Sequence, residues 1–293
     1  MTNPTIGFIG LGLMGSKMAE CLQNNGFDIV VYGRNQDAIA ETTARGATQV
    51  ATPKALAEAS DIVMLCVTTS EVVESLIYGD DGILAGIKEG AVVIDYGTSI
   101  PASTQKIGAD LAAKGAGMLD APLGRSPMHA KDGLLNIMAA GDMETYEKVK
   151  PVLDVQGENV FHLGALGAGH TTKLINNFMG MTTAVTMSQA FAVAKQAGID
   201  GQQLFDIMSA GPSNSPFMKF CKNYAVDGVS DLGFSINNGS KDVNYFLKML
   251  EDLGTSSKIA EGTSASMQAA IDAGLGDGNV PEIFEMFLKQ GTK

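Results

Sequence analysis

Positive charge is scarce in this 293-residue chain: 20 Lys and Arg stand against 32 Asp and Glu, a formal net charge of −12. Nucleic-acid binding draws its affinity chiefly from neutralising phosphates with Lys and Arg, so that class is excluded. Any anionic small molecule has to be met by a local cluster of positive side chains. Cysteine is scarcer still. Cys21, Cys66 and Cys221 are odd in number, scattered, set among apolar neighbours and free of C-x-x-C spacing. They read as reduced core thiols of a cytoplasmic protein, not as a disulfide framework or a redox or metal motif. Of the three histidines, His129, His162 and His170, no two share metal-ligand spacing with a carboxylate partner, so no metal is expected. His162 is expected to end a strand, His170 to start a helix and His129 to border a substrate loop. No apolar run approaches the roughly 18 residues of a membrane span, and no basic-then-apolar segment precedes the first strand. A membrane partner is therefore not expected. Internal repeats, low-complexity tracts and a Ser-His-Asp arrangement are also lacking, and the 16 methionines read as core filler.

What is present is ordinary globular composition, 45% apolar and 18% charged, at a length that suits one large or two medium domains. The first half is organised around residues 6–18. A short apolar run at 6–9 reads as a buried strand, Gly10, Gly12 and Gly15 follow in G-x-G-x-x-G spacing, and Met14, Met18, Cys21 and Leu22 recur at helical intervals up to Gly26. Further strands are read at 27–32, 61–67, 91–95, 117–120, 134–140 and 160–163, with helical segments at 36–45 and 72–78. Continuous apolar strands alternating with helices indicate βαβ units and a doubly wound parallel sheet. From Gly167 onward the strand signal vanishes. Helical runs are read at 170–196, 202–209, 217–224, 241–253, 264–273 and 281–289. The fold class is therefore α/β, an N-terminal Rossmann-like domain over 1–165 followed by an all-helical domain over 166–293.

The glycine fingerprint carries a mechanism. Gly10 permits a tight strand-to-helix turn, Gly12 lets backbone approach a pyrophosphate, and Gly15 lets the helix pack closely on the strand. The N–H groups of the first helical turn, those of Leu13 and Met14 among them, would receive the phosphate at the positive end of the helix dipole. The strand before and the helix after supply the context that a dinucleotide site requires. NAD-binding forms place an acidic residue at the end of the second strand. Here that place reads Tyr32-Gly33-Arg34-Asn35, with Arg34 where a 2′-phosphate would lie and Asp37 an acidic alternative further into the next helix. NADP(H) is expected over NAD(H).

An enzyme that reduces a carbonyl with a nicotinamide has to supply a proton or positive charge to the oxygen as hydride arrives. The candidate lies in the run 167–177, Gly-Ala-Gly-His-Thr-Thr-Lys-Leu-Ile-Asn-Asn. On a helix Lys173, Asn177, Gly180 and Ala184 share one stripe, placing an ammonium beside an amide, with two small residues beyond that leave room for a ligand. Partial burial, with Lys241 nearby, would lower the Lys173 pKa and suit it to general acid/base work near neutral pH. The competing reading is a solvated helix lysine, which the apolar character of the helix disfavours.

Taken together, G-F-I-G-L-G-L-M-G at 7–15, D-A-P at 120–122, the run at 167–177 and K-D at 241–242 resemble the β-hydroxyacid dehydrogenase family, whose members are 3-hydroxyisobutyrate dehydrogenase-like enzymes. The resemblance covers essentially the whole chain. It implies a Rossmann domain joined to a helical domain, reversible oxidation of small 3-hydroxy acids to aldehydes, and dimers or tetramers formed through the helical domain. It further implies that Lys173 is the catalytic acid/base, that Asn177 orients the substrate with Asn176 beside it, and that Lys241 lies near the cofactor. Thr98 and the loop after the third long strand, Val67 and Thr68, would line the nicotinamide pocket.

This sequence departs from the family pattern in two places. Where S-G-G usually follows the D-x-P-V stretch, residues 124–126 are Gly124, Arg125 and Ser126. An arginine there puts a planar, two-pronged donor at the anion pocket. The pattern G-R-S-x-x-x-A resembles the variant of sulfolactaldehyde reductases, in which the arginine grips a sulfonate. The alternative is an arginine turned to solvent or paired with a carboxylate of the helical domain. The second departure is Gly97 in Asp95-Tyr96-Gly97-Thr98, where D-x-S-T is commoner; Gly97 and Gly180 both suggest room for a larger substrate. The expected activity is NADPH-linked, reversible reduction of a short anionic aldehyde to its hydroxy acid, 3-sulfolactaldehyde first, with succinic, tartronate and methylmalonate semialdehydes open. The nicotinamide would lie between the domains. An imine reductase, which commonly carries Asp or Tyr in place of Lys173, and a non-catalytic NADP-binding module are the rival readings.

Overall fold

The computed structural model describes residues 3–290; the outermost residues of the two expected domains, 1–2 and 291–293, lie outside them. The chain forms two compact units that meet in sequence between Lys173 and Leu174.

In the first unit, β1 (Ile6–Ile9), β2 (Ile29–Tyr32), β3 (Thr48–Gln49), β4 (Ile62–Leu65), β5 (Val92–Asp95) and β6 (Gly117–Asp120) form one parallel sheet in the order β3-β2-β1-β4-β5-β6. Every residue of β1, β4 and β5 is buried, as uninterrupted apolar runs require when both faces are covered. Alternate side chains go to opposite faces. Phe8, Met64 and Ile94 pack with Met18 and Leu22 on one side, and Ile9, Val63, Leu65 and Val93 with Leu56 and Ile107 on the other. The strand order reverses between β1 and β4, which opens a crevice at the carboxyl ends of these strands, where open α/β sheets take ligands. The expected doubly wound sheet is therefore present.

The runs read at 134–140 and 160–163 are strands of a different sheet. β7 (Leu123–Gly124), β8 (Leu135–Ala139) and β9 (Gly157–His162) form a separate three-stranded sheet in the order β7-β8-β9. The β7–β8 pair is antiparallel and the β8–β9 pair parallel. The physical difference is visible in β8, whose residues alternate between buried and partly exposed, while the central strands of the parallel sheet are buried throughout.

The second unit is helical. Helices Gly201–Ser209, Pro216–Asp227, Ile236–Asp252, Lys258–Ala270 and Phe284–Gln290 join the remainder of the 29-residue helix Ala168–Gln196. Met181, Val185, Phe191, Met218, Val243 and Met267 lie at the heart of its core. Among its described residues no strand forms beyond a lone bridge between Ser235 and Asn279. The run read at 241–253 begins at Ile236, because the Ser235 hydroxyl accepts from Asn238 N at 3.2 Å and caps a polar first turn that carries no apolar period. The sequence pattern changes at 165, whereas the compact units divide inside the helix Ala168–Gln196. The reason is local: the first turns of that helix are held by Asp120 and Leu123 of the first unit. No described helix is long and apolar enough to cross a membrane.

Candidate active site

The glycine turn after β1 has the shape that its spacing calls for. Gly10 sits at φ +102°, and a Cβ there would lie 2.2 Å from Cys66 O, so backbone meets backbone where β1 and β4 end. A Cβ on Gly15 would lie 2.0 Å from Gly10 O, while one on Gly12 would meet nothing within 4 Å. Helix Leu13–Asn24 starts on Gly12 with no side-chain cap, leaving first-turn N–H groups to other acceptors. A bare, uncapped helix start beside tightly packed glycines fits a dinucleotide pyrophosphate. Arg34 and Asn35 follow β2 and are exposed. Asn35 Oδ1 accepts from Ala38 N at 3.1 Å and caps helix Gln36–Ala44, so its oxygen has a structural duty. Val67 and Thr68 follow β4, and Thr98 follows β5, at the same edge of the sheet. Burial pushes the thiol of Cys66 up to about 12, although part of the residue reaches the surface, and that of Cys221 to about 11; neither is a thiolate at neutral pH.

A buried polar cluster joins the ends of β5 and β6 to the long helix. Asp120 Oδ1 accepts from Gly167 N at 2.7 Å and Oδ2 from His170 N at 2.6 Å. One carboxylate thus supplies the cap that the helix start lacks, at the positive end of its dipole. Asp95 holds its own loop, accepting from Gly97 N at 2.8 Å and Ser99 Oγ at 2.7 Å. A Cβ on Gly97 would come within 3.0 Å of both Asp95 Oδ1 and Val67 O, so this glycine serves close packing. His170, fully buried, lies 2.9 Å from Thr104 Oγ1 through Nδ1, with Asp120 Oδ2 3.9 Å from Nδ1 and Asp95 Oδ2 3.7 Å from Nε2. Burial pushes the Asp120 carboxyl above the usual carboxylate range, while His170 and the helix N–H groups pull it back. One turn on, Lys173 Nζ donates to Leu123 O at 2.7 Å. Its ammonium is therefore fixed on β7, immediately before Gly124, Arg125 and Ser126.

That loop holds the one non-glycine residue with a left-handed backbone among the described residues, Arg125 at φ +78°. Its guanidinium Nη1 donates to Leu134 O at 2.7 Å and pairs with Glu158 of β9. The carboxylate partner is thus in the first unit and not in the helical one. Ser126 Oγ lies 2.7 Å from His129 Nδ1, and Gly124 faces Asn136 across β7 and β8. His162 ends β9, with Nε2 2.9 Å from Gly141 O.

In the second unit, Asn177 Nδ2 donates to Asp242 Oδ2 at 2.6 Å and Asn177 Oδ1 accepts from Asn176 Nδ2 at 3.2 Å. Lys241 Nζ is 2.9 Å from Asp242 Oδ1, a charge contact too bent to count as a hydrogen bond, and 5.0 Å from the Tyr245 ring centroid. Asp242, 2% exposed, is the hub of this group. Gly180 requires a correction: it leaves no room for a ligand, because a Cβ there would lie 2.7 Å from the Phe217 ring, which already fills the space. The stretches D-A-P and K-D stand out in the sequence but give Asp120 and Asp242 no duty, and nothing in the sequence marks Glu158. Among the described residues no group of three or more His, Cys, Asp or Glu could hold a metal ion.

The sequence profile of the NAD binding domain of 6-phosphogluconate dehydrogenase matches residues 5–164, and that of NAD-binding of NADP-dependent 3-hydroxyisobutyrate dehydrogenase matches residues 167–287. The 3-sulfolactaldehyde reductase of Escherichia coli is 30% identical over 249 residues, 85% of this chain and 84% of that one. The NAD-dependent L-serine dehydrogenase of Pseudomonas aeruginosa is 30% identical over 291 residues, 98% of this chain and 93% of that one. The crystal structure of 3-hydroxyisobutyrate dehydrogenase from Salmonella typhimurium matches with a TM-score of 0.84 at 26% identity, covering 97% of this chain and 100% of that one. With its glycine turn, its parallel sheet and these relatives along nearly its full length, the chain belongs to the β-hydroxyacid dehydrogenase family and is a nicotinamide-dependent oxidoreductase.

Proposed function

We propose that this chain is an NADP(H)-dependent reductase, working reversibly, that converts a small anionic aldehyde to its hydroxy acid. The observation that carries the reading is the Lys173 ammonium held 2.7 Å from Leu123 O, at the entrance to the Gly124-Arg125-Ser126 turn. In this reading the proton donor and the guanidinium serve the two ends of one short substrate. Bound nicotinamide supplies the hydride. Lys173 gives a proton to the carbonyl oxygen during reduction and takes it back during oxidation. Asn177, its amide oriented by Asp242 and Asn176, directs the same oxygen. Arg125 and Ser126 take the anionic end. Of the candidate substrates, 3-sulfolactaldehyde is favoured by Arg125 and by the likeness to the Escherichia coli sulfolactaldehyde reductase. Succinic, tartronate and methylmalonate semialdehydes are the alternatives.

The test is NADPH absorbance followed against a panel of one sulfonated and several carboxylated aldehydes. Arg125→Ala is expected to raise KM for the preferred anion about tenfold or more, the worth of a hydrogen bond to a charged group, with kcat little changed. An unchanged KM removes Arg125 from the anion site.

Arg34 supports NADP(H), since it stands exposed after β2 where the strand end itself carries no carboxylate for a ribose hydroxyl and Asp37 lies further on, inside the next helix. The parent enzyme is expected to show kcat/KM with NADPH at least about tenfold above NADH, and Arg34→Ala to close most of that gap through KM. Equal efficiency with the two cofactors in the parent enzyme would overturn the preference. The relation to an NAD-dependent serine dehydrogenase makes this measurement necessary.

A further inference from the structure

Two backbone irregularities meet at one ion pair. β8 and β9 run in parallel register with Leu135 opposite Gly157, but Asn136 is opposite Asn159. Glu158 is therefore the extra residue of a β-bulge, a feature that re-aims a side chain and recurs beside functional sites. On the other side of β8, Arg125 follows β7 in the left-handed region at φ +78°, a conformation that costs a non-glycine residue free energy and persists only where its surroundings enforce it. The guanidinium crosses the sheet from the end of β7, past Leu134 O, to the bulge at Glu158. Both acceptors take the same nitrogen, Nη1. The Nε–Nη2 edge has no partner among the described residues, and that edge is the fork that receives an oxyanion in two parallel hydrogen bonds.

We propose that Glu158 is a positioning residue for substrate selection: from its bulge it pins one nitrogen of Arg125, so that the opposite edge of the guanidinium is presented to the substrate's sulfonate or carboxylate. This rests on the reading of Arg125 as the anion anchor. Glu158 acts through Arg125 and touches no reacting atom. A carboxylate at this place also offsets the arginine's charge, so its value lies in geometry and not in added attraction. An amide of the same length would keep the acceptor and drop the opposing charge.

The experiment compares steady-state KM and kcat for the preferred anionic aldehyde in Glu158→Ala, Glu158→Gln, Arg125→Ala and Arg125→Ala/Glu158→Ala. Arg125 is 29% and Glu158 50% exposed at the side chain, and pairs so placed are worth up to about 1 kcal/mol, or about fivefold. Glu158→Ala is expected to raise KM about three- to fivefold at unchanged kcat. Glu158→Gln is expected to keep KM at or below the parent value. Adding Glu158→Ala to Arg125→Ala is expected to change nothing further. A fall or no change in KM for Glu158→Ala overturns the proposal, as does a rise that persists in the Arg125→Ala background, which would mark a merely structural part. If Arg125→Ala alone leaves KM unmoved, the anion-anchor reading fails first, and that outcome is distinct from the others.

Discussion

Lys173→Ala is expected to lower kcat by about two to four orders of magnitude, the usual range for losing a placed general acid/base. The side chain is not a solvated helix lysine: its Nζ donates to Leu123 O at 2.7 Å, which fixes the ammonium on β7 beside the proposed anion loop. Lys173→Met is the sharper variant, because it keeps the length of the side chain and its apolar stem while removing the transferable proton. The glycine turn lies at the carboxyl end of β1 and owes none of its shape to Lys173, so NADPH affinity, read by fluorescence titration, is expected to stay within about twofold of the parent. Substantial turnover in both variants would refute the assignment. Loss of turnover together with loss of NADPH binding would show that the fold had been damaged instead.

Asp120→Ala carries the second large effect, on stability. The parent carboxylate satisfies two N–H groups at the start of the helix Ala168–Gln196 and faces a fully buried histidine. Removing the carboxylate leaves two buried N–H groups without an acceptor, at about 1–3 kcal/mol each, which lowers the melting temperature by roughly 10 °C. Asp120→Asn keeps one acceptor oxygen and turns its amide toward the other N–H, so its cost is about 1–3 kcal/mol. The pH dependence has a definite sign. Burial raises the Asp120 carboxyl, so the folded chain holds this proton to higher pH than the unfolded chain does. Between the ordinary aspartate value of about 3.9 and the raised one, the folded state binds more protons and the contribution to stability falls as pH rises. Asp120→Asn has no such proton. Its deficit against the parent is therefore expected to be largest at the acid end of that window and to shrink as pH rises through it. Calorimetric scans across mildly acidic pH read this difference, and a deficit that grew with pH would contradict the burial argument.

Much of this arrangement was legible in the sequence because it rests on local rules. The turn at Gly10, the buried strands at Ile62–Leu65 and Val92–Asp95 and the Lys173 to Asn177 spacing each follow from a short-range period or a backbone conformation. The second sheet was harder to see, because a buried run and a half-buried run such as Leu135–Ala139 differ only in which alternate residues meet water. Gly180 misled for a similar reason: a missing side chain marks a close approach without saying what approaches, and here it is Phe217. Asp120 and Asp242 stand in recognisable stretches, but their duties come from partners far away along the chain. Glu158 gave no sign, since a bulge is a relation between two strands and neither strand records it alone.

The left-handed arginine after β7 has an evolutionary corollary. Glycine occupies such a conformation freely, so selection for robustness alone would let this position drift to glycine, and heat-tolerant variants recovered without a substrate in the screen are expected to collect there. The bond to Leu134 O and the pair with Glu158 offset part of that drift; if Arg125 is the proposed anion anchor, recognition supplies the rest, and durability and discrimination pull in opposite directions at this codon.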